Sequence, residues 1–189
     1  MIRIAAPFLA LTLALPAFGE TVTLSPADPQ PSPDQLAPGL AVSYAYGGPI
    51  KTLAHAEKNL KKATPGPALV GLSYLDGSDG DLTLTAEKAK KVAAAISGFI
   101  KFDQAGTFQV EFISNDGIEA HISGQQVALF DEVHSCESAG VTEVNVPAAG
   151  WYVIEATYFQ RKGSACLLMD WDTEGEMLPV PDEAFAHLK

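Results

Sequence analysis

Between Phe99 and Val127 the chain changes from apolar to polar at nearly every step. Phe108, Val110 and Phe112 alternate with Gln109 and Glu111, the period of a strand with one face in water. Ile118, Ala120 and Ile122 alternate in the same way with Glu119 and His121. Asn115-Asp116-Gly117 lies between the two runs and reads as a hairpin turn, because such residues accept φ > 0 at low cost. Ser123-Gly124 predicts a second turn, into Val127-Ala128-Leu129-Phe130. Leu40, Val42 and Tyr44 predict a first strand, and residues 69–75 a short one. Residues 141–146 alternate again, and residues 151–159 are nearly continuously apolar, as a central strand should be. Leu167, Met169 and Trp171 share one face of a last core strand. The expected architecture is all-β: an antiparallel β-sandwich with one or two short helices.

The clearest helix covers residues 51–63. Leu53, Ala56 and Leu60 share a face, Thr52 can cap the start, and Pro65-Gly66-Pro67 stops the run. Lys58, Lys61 and Lys62 lie off that face, which suits either a dipole-matched helix end in solvent or a basic docking site. Residues 86–96 have helical propensity.

Arg3, an apolar run over residues 5–15 and Ala17-Phe18-Gly19 make residues 1–19 an expected export signal, too short to span a bilayer. Five prolines between residues 20 and 38 indicate an extended linker or wrap. The sandwich is expected over residues 39–172. A tail over 173–189 is expected to lie against it through Leu178, Phe185 and Leu188.

The formal charge is -11, and removing Arg3, the only charge in residues 1–19, makes it -12. That disfavours nucleic acid and anionic membrane surfaces. It is compatible with neutral sugars, cations or basic partners, and equally with plain solubility. Cys136 and Cys166 are the two cysteines. In an oxidising compartment such a pair is most simply a disulfide. The alternative is a thiol or metal site formed by Cys136 with His134.

Several stretches together resemble the protective-antigen domain family, named for an anthrax toxin component. They are Gly98-Phe99-Ile100, Ala105-Gly106-Thr107-Phe108, Ser114-Asn115-Asp116-Gly117 and Ile122-Ser123-Gly124. Ala148-Ala149-Gly150-Trp151-Tyr152, Tyr158-Phe159-Gln160 and Gly163-Ser164-Ala165, ending at Leu168 and Trp171, continue the likeness. It spans roughly residues 39–171 and implies a strand over 92–102, against the helical propensity there. In sugar-binding members, such as flocculin-type adhesins, two adjacent aspartates joined by a cis peptide hold a calcium ion that binds sugar hydroxyls. The resemblance places Asn115 and Asp116 at that metal position, with Asn115 offering a neutral amide oxygen in place of a carboxylate. A second loop supplies an asparagine and backbone oxygens in those adhesins. Here Gln160 and Gly163 stand in that region, beside Arg161 and Lys162, whose charges would repel a cation if they pointed inward.

Residues 76–81 offer oxygen ligands but miss the spacing of a helix-loop-helix calcium site. Tyr44, Tyr46, Trp151, Tyr152, Tyr158 and Trp171 are either core or sugar-stacking aromatics. Catalytic signatures are absent: there is no Gly-x-Ser-x-Gly, no His-Glu-x-x-His and no phosphate loop. Asp131 and Glu132 form a carboxylate pair without a required acid/base role. The expectation is a non-catalytic, exported module, periplasmic or secreted, with no membrane span in the mature chain. It would bind carbohydrate at Asn115, Asp116, Gln160 and Gly163, with calcium as the implied cofactor. The alternatives are a protein-interaction or structural module of the cell envelope, with a protein partner and no sugar or metal site, and, last, a small hydrolase.

Overall fold

The computed structural model describes residues 21–75, 77–172 and 175–189. The expected export signal lies outside the described residues. In chain order the strands are β1 (Val22–Thr23), β2 (Leu36–Pro38) and β3 (Ala41–Tyr46), followed by helix α1 (Leu53–Leu60). Then come β4 (Thr64–Pro65), β5 (Ser73–Tyr74), β6 (Val92–Phe102), β7 (Gly106–Asn115), β8 (Ile118–Ile122) and β9 (Gln125–Phe130). The last are β10 (Glu137–Val146), β11 (Gly150–Gln160), β12 (Cys166–Asp172), β13 (Met177–Pro179) and β14 (Phe185–Leu188). Two single turns of 3-10 helix, Pro33–Gln35 and Asp182–Ala184, precede β2 and β14.

Two sheets face each other. One runs β1-β10-β7-β12-β13, with β5 on β12; the other runs β2-β14-β6-β11-β8-β9, with β3 beside β6 and β4 on β3. All the pairings are antiparallel except β1 with β10. Alternation decides the core. Phe108, Val110 and Phe112 of β7 meet Ile96, Ile100 and Phe102 of β6 and Tyr152, Ile154 and Tyr158 of β11 in one buried cluster. Phe102 packs edge-on to Tyr152, with ring centroids 5.3 Å apart.

Residues 92–102 form a strand despite their alanines. β6 pairs with β11 along its length and with β3 over residues 92–97, and that pairing overrides local helical preference. Thr52 caps α1, its hydroxyl accepting from the His55 N–H. The helix lies on the outer face of the second sheet, where Leu53 and Ala56 bury Ala45, Ala93 and Phe159.

Three expectations are corrected. Asn115-Asp116-Gly117 is not a hairpin turn: β7 belongs to one sheet and β8 to the other, so the chain crosses the sandwich there. None of the three residues has φ > 0, and the Asn115–Asp116 peptide is cis. Ser123-Gly124 is the true hairpin turn, with φ of 55° and 72°. The strand expected over residues 69–75 shrinks to β5 and an isolated Leu40–Leu69 bridge. Gly71 passes so close to Asp182 that a Cβ would lie 2.2 Å from its Oδ1, so this stretch has no room to pair as a regular strand. The tail does more than lie on the surface. It adds β13 to one sheet and β14 to the other, burying Phe185 while Leu178 and Leu188 stay exposed.

The Pro-rich segment wraps one end of the sandwich. Leu24 enters the core, and the Ala27 N–H donates to Trp151 O at 2.8 Å.

Candidate functional site

Three loops meet at the other end: residues 115–117 between β7 and β8, 161–165 between β11 and β12, and 131–136 between β9 and β10. Cys166 is the register partner of Asn115, and it is disulfide-bonded to Cys136 with a Cα–Cα distance of 6.0 Å. The pair is a disulfide, so no thiol remains for nucleophilic or metal chemistry. The bridge pins the 131–136 loop against the crossover.

The crossover is held from β11. The Asp116 N–H donates to Phe159 O and the Phe159 N–H to Gly117 O, both at 3.0 Å. Tyr158 Oη donates to Asn115 O. Gly117 has no room for a side chain: a Cβ would lie 2.4 Å from Phe159 Cε1 and 2.7 Å from Phe130 O. Asn115, Asp116 and Gln160 are therefore not a projecting tip. They are 7%, 1% and 0% exposed, buried beneath the loops.

The Asp116 carboxylate accepts the Arg161 backbone N–H at 2.6 Å. Burial pushes its carboxyl above the usual range, opposed by that hydrogen bond, by the charge and backbone of His134 and by the Arg161 guanidinium. His134 stacks on Phe130 with ring centroids 3.6 Å apart. Gln160 Nε2 donates to Gly163 O at 3.2 Å and Ser164 O at 2.8 Å, which shapes the second loop from below. Gln160 Oε1 is buried without a donor. The half-exposed Arg161, Gly163 and Ser164 form the outer surface of this end.

These residues do not fit a resident calcium ion. Calcium takes roughly six to eight oxygens, and affinity follows ligand charge. Here one carboxylate is present and already takes an N–H, the carbonyls of residues 163 and 164 face an amide N–H₂, and Arg161 brings positive charge. The unpartnered Gln160 Oε1 and the amide oxygen of Asn115 could add only neutral ligands. Among the described residues no group of three or more His, Cys, Asp or Glu could hold a metal.

The other motifs fall elsewhere. Asp131 Oδ1 accepts the Leu53 N–H at 2.5 Å, so this carboxylate caps α1. In the acidic loop, Asp81 Oδ2 accepts the Ser78 N–H and Asp79 pairs with Lys90 at 2.6 Å; Asp76 lies outside the described residues. Tyr44, Tyr152 and Tyr158 are core, while Tyr46, Trp151 and Trp171 are only partly buried. His121, 3.8 Å from Glu119, lies on the open outer face of the second sheet. Lys91 went unnoticed in the sequence. It enters this end because its N–H donates to Arg161 O at 3.2 Å, a contact across 70 residues that no local pattern signals.

No protein-family model and no curated protein sequence matches the chain. Solved structures do. The PA14 domain of the MpAFP antifreeze protein superposes with a TM-score of 0.69 at 16% identity, over 85% of this chain and 96% of that one. A PA14 sugar-binding domain from an RTX adhesin gives 0.61 at 19%, over 79% and 98%. The Epithelial Adhesin 9 A domain from Candida glabrata, in complex with Galb1-3GlcNAc, gives 0.65 at 12%, over 89% and 97%. The fold is that of PA14 domains, as the resemblance in the sequence implied.

Proposed function

We propose that the protein is an exported, non-catalytic binding module whose ligand is a saccharide, taken at the end of the sandwich built around Asp116. One observation carries this reading: the buried Asp116 carboxylate supports Arg161 from below, at the junction of three loops pinned by Cys136–Cys166. Burying a charge is costly unless it is hydrogen-bonded, so its placement under a surface loop argues for a loop held in one shape. A saccharide-bound adhesin domain and a sugar-binding domain among the similar folds support the ligand class. Fold alone does not fix function, so the ligand class is the part to test.

Asp116 and Gln160 act as positioning residues in this reading, while Arg161 and Gly163 meet the ligand. Binding does not require calcium, since positive charge at the site comes from side chains. The disulfide and the export-type N-terminus agree with a periplasmic or secreted location. Among the described residues, no helix is long and apolar enough to cross a membrane.

A glycan array with wild type and Arg161→Gln, each with and without chelator, tests the proposal. The expected result is saccharide retention that ignores chelator and falls at least about tenfold in Arg161→Gln, roughly 1.4 kcal/mol. An array on which wild type retains no saccharide would end it.

A further inference from the structure

We infer that the saccharide carries an anionic group, a carboxylate or a sulfate, seated between Lys51, Lys91 and Arg161. The inference rests on the saccharide reading above and narrows it to acidic sugars. The chain has 23 Asp and Glu against 12 Lys and Arg, so a surface without an acid is unusual for it. Two adjoining depressions at this end have that character. The first, about 210 Å³, is walled by Lys51, Lys91 and Arg161 over Pro49 and Ile50. The second, about 280 Å³, is walled by Lys58, Lys62 and Tyr46. Gly48 is common to both, and neither is lined by an Asp or Glu. The five cations named make none of the ion pairs among the described residues.

The backbone holds these charges together. The Gly47 N–H donates to Lys91 O at 2.9 Å, and the Lys91 N–H to Arg161 O at 3.2 Å. Lys91 has φ of 56°, so its side chain leaves the β6 ladder just before the strand begins. Asn59 Nδ2 donates to Gly47 O at 3.1 Å and fixes α1 against the same loop. Like charges so gathered repel until an anion sits among them. An Arg offers a planar fork to a carboxylate or sulfate, and the lysines add point charge. Tyr46, partly buried in the wall of the second depression, stacks on Tyr44 and carries the Lys88 ammonium 5.2 Å over its ring, which adds a further cation beside this wall. The depressions are small and the rest of the chain is anionic, which favours one charged group on a saccharide over a long polyanion.

Calorimetric titration of the full mature chain tests the inference with four probes: a galacturonic acid trisaccharide, a sulfated galactose disaccharide, and the neutral counterpart of each. The expected result is that an acidic probe binds at least about tenfold tighter than its neutral counterpart. Raising the salt from about 50 mM to about 500 mM should erase most of that difference. Which acidic probe binds tells carboxylate from sulfate. Lys51→Gln/Lys91→Gln should remove the preference with an unchanged melting temperature, whereas Lys90→Gln/Lys101→Gln, at lysines already paired with Asp79 and Asp103, should keep it. Neutral probes binding equally well, or a preference that survives Lys51→Gln/Lys91→Gln, would overturn the inference and leave the saccharide reading standing. A preference lost equally in both double variants would reduce it to bulk charge and also overturn it. No binding of any probe, together with a blank array, would remove both.

Discussion

The two ends of the sandwich close in different ways. At the end near Ser123 and Trp151, closure is by short turns and by the Pro-rich segment. Ser123 Oγ donates to Ser25 O at 2.6 Å, and Gln30 exchanges hydrogen bonds with the Trp151 backbone at 2.8 and 2.9 Å. Neutral groups satisfy one another in these contacts. At the Asp116 end a carboxylate is buried, a sulfur bridge holds the loops, and five cations stand without ion-pair partners among the described residues. The buried carboxylate and the unpaired cations cost stability or are neutral to it, which is the mark of a surface shaped for binding.

Four substitutions or conditions sharpen the contrast, taken from the largest effect to the smallest. Cys136→Ser/Cys166→Ser should lower stability by about 3 to 4 kcal/mol in urea unfolding, because the bridge closes a loop with a sequence separation of 30. A loss under about 1 kcal/mol would mean that the loops are held by other contacts. Gly117→Ala should cost roughly 2 kcal/mol, since its Cβ meets the Phe159 ring and Phe130 O. A silent substitution would contradict the tight crossover. Gln30→Ala, at the sealed end, should cost about 1 kcal/mol and leave ligand binding untouched.

The smallest effect concerns pH. Burial holds the Asp116 carboxyl above its ordinary range, so the native state keeps a proton that the unfolded chain has released. Its contribution is full below the ordinary carboxylate pKa and is lost as pH rises through the raised native value. Asp170 is raised too, by burial and by Glu111, so the difference between wild type and Asp116→Asn isolates the group. That difference should change across the acid range and level off above it. A constant difference would show that Asp116 titrates alike in both states.

Much of the fold was legible because alternation is local. Phe108, Val110 and Phe112 announce β7 without any knowledge of its partners, and Thr52 with Leu53 and Ala56 announces α1. The strand at residues 92–102 was not local information. Its alanines favour a helix, and only the family likeness gave the strand that pairing with β3 and β11 enforces. The crossing at Asn115–Gly117 was misread for a related reason: turn chemistry says that the chain bends, not which sheet receives the next strand. Asp116 and Gln160 were picked out by resemblance, yet their burial under Arg161 depends on loops that the sequence leaves unplaced. The first basic depression assembles residues 48–51, 91 and 161, three places far apart in the sequence.

The most direct test follows the backbone amides of labelled protein by NMR while the tightest array saccharide is added. The largest shifts should fall at Gly47, Gly48, Lys91 and residues 161–164. Largest shifts at Ser123, Gly124 and Trp151, or across Glu119, His121 and Glu155 on the open sheet face, would contradict the account.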